Sequence, residues 1–274
     1  MMMKIVYTIS LLLVLLGVSS CEGKFDFSPY AIDFDTEETQ VHQRSLLQLS
    51  VSEEQQDTLY IAFTGDTHRF YDEFDALVRA LNKRHQQQAI DFLVHVGDLA
   101  DFGLPKQYQW GNSFLLKLAM PYFVVLGNHD LVGNGATAYH EMFGDFDFSF
   151  IYKSVKFVFI NTNSREFLFD GSVPNIQWLD AELKPNADFT KAVVFFHVPP
   201  MDADFDPSLE EAFQQTLARY NNVLFVSHGH LHGYQYYKPY ADSIPYVNVY
   251  GVEKEKFNVI KISNNDFKVE TYSF

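Results

Sequence analysis

Seven side chains with nitrogen or oxygen donors recur in short motifs along this chain, and those residue types are the ones that hold metal ions. Gly65-Asp66-Thr67-His68, Gly97-Asp98-Leu99-Ala100-Asp101 and Gly127-Asn128-His129-Asp130 come first. His197, after Phe195-Phe196, and Gly229-His230-Leu231-His232-Gly233 follow. Asp66, His68, Asp98, Asn128, His197, His230 and His232 are hard-to-borderline donors, suited to Mn, Fe, Zn or Ni and not to thiophilic ions. Cys21 is the only cysteine, so neither an intramolecular disulfide nor a thiolate site can form. From an extended segment, Asp66-x-His68 and His230-x-His232 can each aim two side chains at one ion, because residues two apart share a face. A carboxylate such as Asp98 has two oxygens and can bridge two cations.

Donors so far apart in sequence must be gathered by the fold. Each motif directly follows an apolar run rich in Val, Ile and Phe, of the kind that forms buried strands: 59–64, 92–96, 122–126, 192–196 and 223–227, with a further run at 157–160. Between them, 74–84, 108–117, 176–183 and 209–220 carry apolar residues at helical spacing. Open α/β sheets place ligand sites at the carboxyl ends of their strands, which is where all five motifs fall. Residues 148–152 and 155–160 predict a hairpin. The tail, 246–250, 257–262 and 267–272, alternates as in an antiparallel meander, with a turn over Ser263-Asn264-Asn265-Asp266. The expected fold is therefore α/β, with mixed sheets flanked by helices. No repeat or Pro/Gly-rich linker divides residues 58–274.

The bulk properties narrow the partners. At 274 residues, 47% hydrophobic and 16% aromatic, the chain has ample material for a deep core. Its net charge of −15 argues against gripping a polyanion over a wide surface, so no extended nucleic-acid binding is expected. Small phosphate esters stay open, since a bound metal reverses the local field. Residues 1–20 pass from Lys4 through an uncharged apolar run to Gly17-Val18-Ser19-Ser20, the layout of a secretory signal peptide. Ser19-Ser20-Cys21 resembles the lipobox of bacterial lipoproteins, which implies export and a lipid anchor at Cys21, facing the periplasm or the cell surface. Residues 21–57 read as a tether that lays some aromatics against a catalytic domain spanning 58–274.

Taken in order, D-x-H, G-D, G-N-H-D, H and G-H-x-H resemble the calcineurin-like metallophosphoesterase family. A single G-D or H-x-H is weak; the five together, over residues 66–232, are specific. The resemblance implies a four-layer sandwich of two mixed β-sheets flanked by helices. It also implies two divalent or trivalent transition-metal ions, one held by Asp66, His68 and His232, the other by Asn128, His197 and His230, with Asp98 bridging. Ions about 3.5–4 Å apart polarise phosphoryl oxygens and lower the pKa of a bound water, giving a hydroxide for in-line attack on a phosphomonoester or phosphodiester. In the same reading His129 faces the leaving group and Asp130 orients its imidazole.

Other polar residues receive plainer readings. His95 is expected in the core, and His42, His85 and His140 on the surface or in loops. His228 fits either the core or a supporting place behind His230. Arg69 is read as an exposed salt-bridging residue, although it is near enough to reach a phosphate oxygen. The acidic loop Asp202-Ala203-Asp204-Phe205-Asp206 is compatible with cation recruitment or with a solvated turn. Where purple acid phosphatases, a branch of the superfamily, carry an iron-binding tyrosine three residues after the bridging aspartate, this chain has Asp101. The alternative function is a lipoprotein that binds metal or a phospholigand without turnover; a peptidase is disfavoured by the lack of H-E-x-x-H.

Overall fold

The computed structural model describes residues 28–51, 58–240, 244–263 and 266–274. The expected signal peptide and Cys21 lie outside the described residues, and so do the expected turn residues Asn264 and Asn265. The elements below all belong to one unit, Ile32–Phe274.

Two sheets form the centre. In the first, β1 (Leu59–Thr64), β2 (Phe92–His95) and β3 (Tyr122–Val124) run parallel, and β10 (Lys256–Ser263) and β11 (Asp266–Ser273) extend it antiparallel beyond β1. In the second, β5 (Val155–Phe159), β6 (Lys191–Phe195), β7 (Val223–His228) and β9 (Tyr246–Asn248) are parallel. The antiparallel strands β4 (Phe148–Tyr152) and β8 (Gln235–Tyr237) close its edges.

The period of two explains why the sheets stack. Ile61 and Phe63, Phe92 and Val94 face Phe157, Phe159, Val193 and Phe195 in a core between the sheets. The residues between them point the other way. Ala62 and Leu93 meet Phe74, Leu77 and Leu81 of α2 (Tyr71–Gln87), and also Tyr108 and Leu115 of α3 (Pro105–Leu115) and Tyr139 of α4 (Gly135–Phe143). On the far side Val158 and Val194 pack on Leu179 and Leu183 of α5 (Ile176–Leu183) and on Phe213 and Leu217 of α6 (Glu210–Ala218). Each fully buried large apolar side chain stabilises by about 1.5–3 kcal/mol. The result is the four-layer α/β sandwich, helices outside and two mixed sheets within.

Two local expectations need correction. The tail is not one meander: β9 joins the second sheet beside β7, whereas β10 and β11 join the first. The chain crosses between the sheets at a bridge from Gly251 to Gly65, followed by a 3₁₀ turn, Val252–Lys254. His42 is not on the surface either. It sits on a helix, α1 (Val41–Val51), within the stretch read as a tether, and its Nε2 accepts a hydrogen bond from the backbone N–H of Val124 at 3.1 Å. The Phe148 ring packs against it, tilted by 32°, with centroids 4.3 Å apart.

Burial pushes the His42 imidazole down to about 3. Between pH 3 and 6.5 the unfolded chain therefore binds a proton that the folded chain does not, so acid destabilises the fold by about 1.4 kcal/mol per pH unit from this group. From pH 7 to pH 5 the wild type is expected to lose about 2 kcal/mol more stability than His42→Gln. Urea melts at the two pH values check this; parallel losses would refute it.

Candidate metal centre

The loops after β1, β2, β3, β6 and β7 bring their polar residues to one end of the sandwich. The loops after β1 and β2 are joined by backbone hydrogen bonds, Asp66 N–H to Gly97 O and His68 N–H to Asp98 O, at 2.9 and 3.0 Å. The paired motifs are not extended as the sequence reading expected: Asp66, His68, Asp98, His230 and His232 all have φ between 47° and 72°. A left-handed non-glycine residue costs on the order of 1 kcal/mol, so the loops hold strain that the surrounding contacts must offset.

Three donors gather on one side. Asp66, His68 and His232 each offer an atom within 4.8 Å of the others. The Nε2 atoms of His68 and His232 face each other at 3.3 Å, and His232 Nε2 is 3.6 Å from Asp66 Oδ1. That carboxylate is buried; Oδ1 accepts from the N–H of His230 at 3.0 Å, and Oδ2 has no hydrogen-bond partner among the described residues. On the other side Asn128 Oδ1 is 3.1 Å from His197 Nε2 and 3.2 Å from His230 Nδ1. Asp98 stands between. Its Oδ2 is 3.1 Å from His197 Nε2 and 3.6 Å from His68 Nε2, and its Oδ1 accepts from the N–H of His129 at 2.9 Å. All seven predicted donors thus lie in two adjoining groups.

A cation suits this arrangement. Once the ring nitrogens that face inward are unprotonated, two imidazole nitrogens 3.3 Å apart, a buried carboxylate oxygen and an amide oxygen between two rings all turn lone pairs toward shared points. His197 is already set for the task, because its Nδ1 donates to Val96 O at 2.7 Å, leaving Nε2 toward Asp98 and Asn128.

The electrostatics carry the same mark. Burial pushes the Asp66 carboxyl up to about 6, even with His197 near it. Burial also opposes ionisation of Asp98, but His197, His68 and His129 hold its carboxyl well below the usual range. For His197 burial disfavours the charge, and Asp98 and Asp66 override it, raising the imidazole to about 10. His197 must release its Nε2 proton before that nitrogen can act as a donor, so acid opposes loading.

Asp130 does not act as the sequence reading expected. Its buried carboxylate does not carry His129; it accepts from the N–H groups of Asp98, Ala100 and Gly127 at 2.8–2.9 Å. It pins the β2 loop to the β3 loop, where Gly127 passes so close that a Cβ there would stand 2.1 Å from Asp98 Oδ1. Burial, with Asp98 beside it, pushes the Asp130 carboxyl up to about 7. Asp130→Ala would strand three buried N–H groups at about 1–3 kcal/mol each, so a loss of roughly 3–9 kcal/mol is expected in a denaturant melt. A loss under 1 kcal/mol would contradict this bracing role.

His129 is served instead by Asp101. His129 Nδ1 donates to the Asp101 carbonyl at 2.9 Å and is 3.5 Å from its carboxylate, while the side chain stays 42% exposed. The same carboxylate lies 3.3 Å from His68 Nδ1 and 3.4 Å from the exposed Arg69 guanidinium. Asp202 lies 3.3 Å from His230 Nε2, so the acidic loop touches the centre. Asp204 is tied to Arg165, and Asp206 caps Ser208. The plain readings of His95 and Arg69 agree with the structure. His95 is buried on Thr67, and Arg69 has a side chain 72% exposed. His228 is a core residue between Gly229 O and Tyr237 OH. Tyr108 donates to Asp130 O from a buried position.

Glu253 was not anticipated. Its Oε1 is 3.1 Å from His232 Nδ1. The signal was present, since the run at 246–250 ends in Gly251-Val252-Glu253, a strand followed by glycine and an acid as at Asp66 and Asp98.

The family profile for calcineurin-like phosphoesterases matches residues 59–234, and the chain belongs to that family. It is 26% identical over 177 residues to a 3′,5′-cyclic-nucleotide phosphodiesterase of Nostoc, covering 59% of this chain and 62% of the relative. It is 24% identical over 156 residues to a probable glycerophosphodiester phosphodiesterase of Arcobacter nitrofigilis, covering 52% of this chain and 56% of the relative. The matches thus span less than two thirds of either relative's length. Among solved structures, a dimetal phosphatase from Danio rerio superposes with a TM-score of 0.59 at 13% identity, over 78% of this chain and 99% of the other, a likeness of fold. The class is therefore that of the calcineurin-like phosphoesterase family, with a candidate metal-binding site.

Proposed function

We propose that this chain hydrolyses a small phosphodiester at a dinuclear metal centre, with Asp66, His68 and His232 as one donor set, Asn128, His197 and His230 as the other, and Asp98 shared. The observation that carries this reading is the position of the Asp98 carboxylate, within 3.1 Å of His197 and 3.6 Å of His68. When bound, such ions polarise phosphoryl oxygens and supply a water of lowered pKa for in-line attack. The chain's own residues do the rest. The Asp130 brace and the Gly97 and Asp98 backbone bonds hold the donors in place before substrate arrives. His129, its Nδ1–H fixed on the Asp101 carbonyl, acts in its doubly protonated form, passing the Nε2 proton to the departing alkoxide and remaining as the neutral Nδ1–H imidazole. A diester is preferred because it brings one negative charge to a site where the Asp101 and Asp202 carboxylates already stand beside His68 and His230, and because two relatives carry phosphodiesterase names.

Purified protein reconstituted separately with Mn, Fe, Zn and Ni is expected to cleave bis(p-nitrophenyl) phosphate faster than p-nitrophenyl phosphate, with elemental analysis giving two metal equivalents. Inactivity on both, and on a panel of cyclic nucleotides, glycerophosphodiesters and phosphomonoesters, would leave a binding lipoprotein as the better reading. The Ser19-Ser20-Cys21 sequence supports attachment to a membrane by acylation; mass spectrometry should find an acyl group that Cys21→Ser lacks.

A further inference from the structure

We infer that Glu253 is a positioning residue, one that fixes His232 in the tautomer and orientation needed to donate Nε2 to a metal; this rests on the dinuclear reading above. Glu253 lies beyond the 59–234 stretch shared with the family. Its 3₁₀ turn is nonetheless bonded directly to two parts of the centre. Gly251 N–H donates to His232 O at 3.1 Å, and Val252 N–H donates to Gly65 O at 3.2 Å, next to Asp66. The carboxylate is therefore held against the histidine by backbone on both sides.

The side chain is only 17% exposed, and Oε1 sits 3.1 Å from His232 Nδ1. A carboxylate only accepts, so Nδ1 carries the hydrogen and Nε2 keeps its lone pair toward Asp66 and His68. Lys254 Nζ shares Oε1 at 3.3 Å, and Oε2 is buried with no hydrogen-bond partner among the described residues. Gly251 makes room for this carboxylate, since a Cβ there would lie 2.3 Å from Oε2. A buried carboxylate that turns one oxygen to a ring and strands the other is costly unless that ring gains positive character. Donation from Nε2 to a cation supplies it.

Metal affinity of the full chain tests this without reference to turnover. Apo protein is titrated with Mn²⁺ and with Zn²⁺ by calorimetry, in the wild type, Glu253→Ala, Glu253→Gln and Gly251→Ala. The wild type is expected to show two binding steps, and Glu253→Ala to weaken one of them roughly 10- to 100-fold while the other holds. Glu253→Gln, whose amide oxygen can still accept from Nδ1–H, is expected to lose less. Gly251→Ala, which displaces the carboxylate without deleting it, is expected to move the same step as Glu253→Ala. Thermal melts of the apo forms separate misfolding from weakened binding. Two unchanged steps in a folded Glu253→Ala protein would overturn the role of Glu253 and leave the dinuclear reading standing. A wild type that binds neither ion would overturn both.

Discussion

Replacing Asp98 with Ala is expected to lower turnover of an aryl phosphodiester by about 10³-fold or more and to reduce bound metal below two equivalents. Metal stabilisation of a transition state is worth several kcal/mol, and each 1.36 kcal/mol is a factor of ten. Asp98 is the residue whose loss touches both donor groups, since Oδ2 faces His197 and His68 at once. The variant also removes the acceptor for the His129 N–H. Asp98→Asn separates these effects. An amide oxygen can still accept from that N–H, but the charge is gone and a carboxylate oxygen with it, so a folded, nearly inactive protein is expected. Steady-state kinetics with elemental analysis on both variants decide the matter. Activity within tenfold of wild type in Asp98→Ala would remove the shared carboxylate from the mechanism.

The second large effect concerns His129, and it should depend on the substrate. General acid catalysis contributes about 10²–10⁴-fold, but only where the leaving group needs a proton. His129→Ala is therefore expected to lose about that factor on an alkyl diester and much less on bis(p-nitrophenyl) phosphate, whose leaving phenolate is already stable. Metal binding should be nearly unchanged, because the His129 ring holds to Asp101 and its side chain opens to solvent. Equal losses on both substrates, or loss of metal, would mean that the residue supports the centre in some other way. Asp101→Ala offers a companion measurement, since its backbone carbonyl, the stronger of its contacts to His129, survives the substitution.

Much of this was legible in the chain before folding. Continuous apolar runs over 59–64, 92–96 and 157–160 placed the strands, because strands buried on both faces need apolar residues at nearly every position. Polar residues at the ends of these runs, most of them beside a glycine, marked the candidate donors, since ligand loops follow strand ends. Asp66, His68, Asp98, Asn128, His197, His230 and His232 are the candidates that position and family resemblance single out, and their side chains lie in two adjoining groups.

What the sequence could not decide were contacts between segments that share no local pattern. Nothing near Asp130 says that its carboxylate serves three N–H groups on two loops and not the neighbouring imidazole; that depends on the β2 and β3 loops approaching each other. His42 looks like a surface histidine until its helix reaches Val124, and β9 looks like part of a meander until it pairs with β7. The left-handed backbone at Asp66 and His68 replaced the extended geometry that alternation implied. The sequence alone determined which groups can hold metal, because donor chemistry belongs to the residue. Only the tertiary structure decided which groups support them, Asp101, Asp130 and Glu253 among them, because a hydrogen bond depends on distances of about 3 Å that only packing sets.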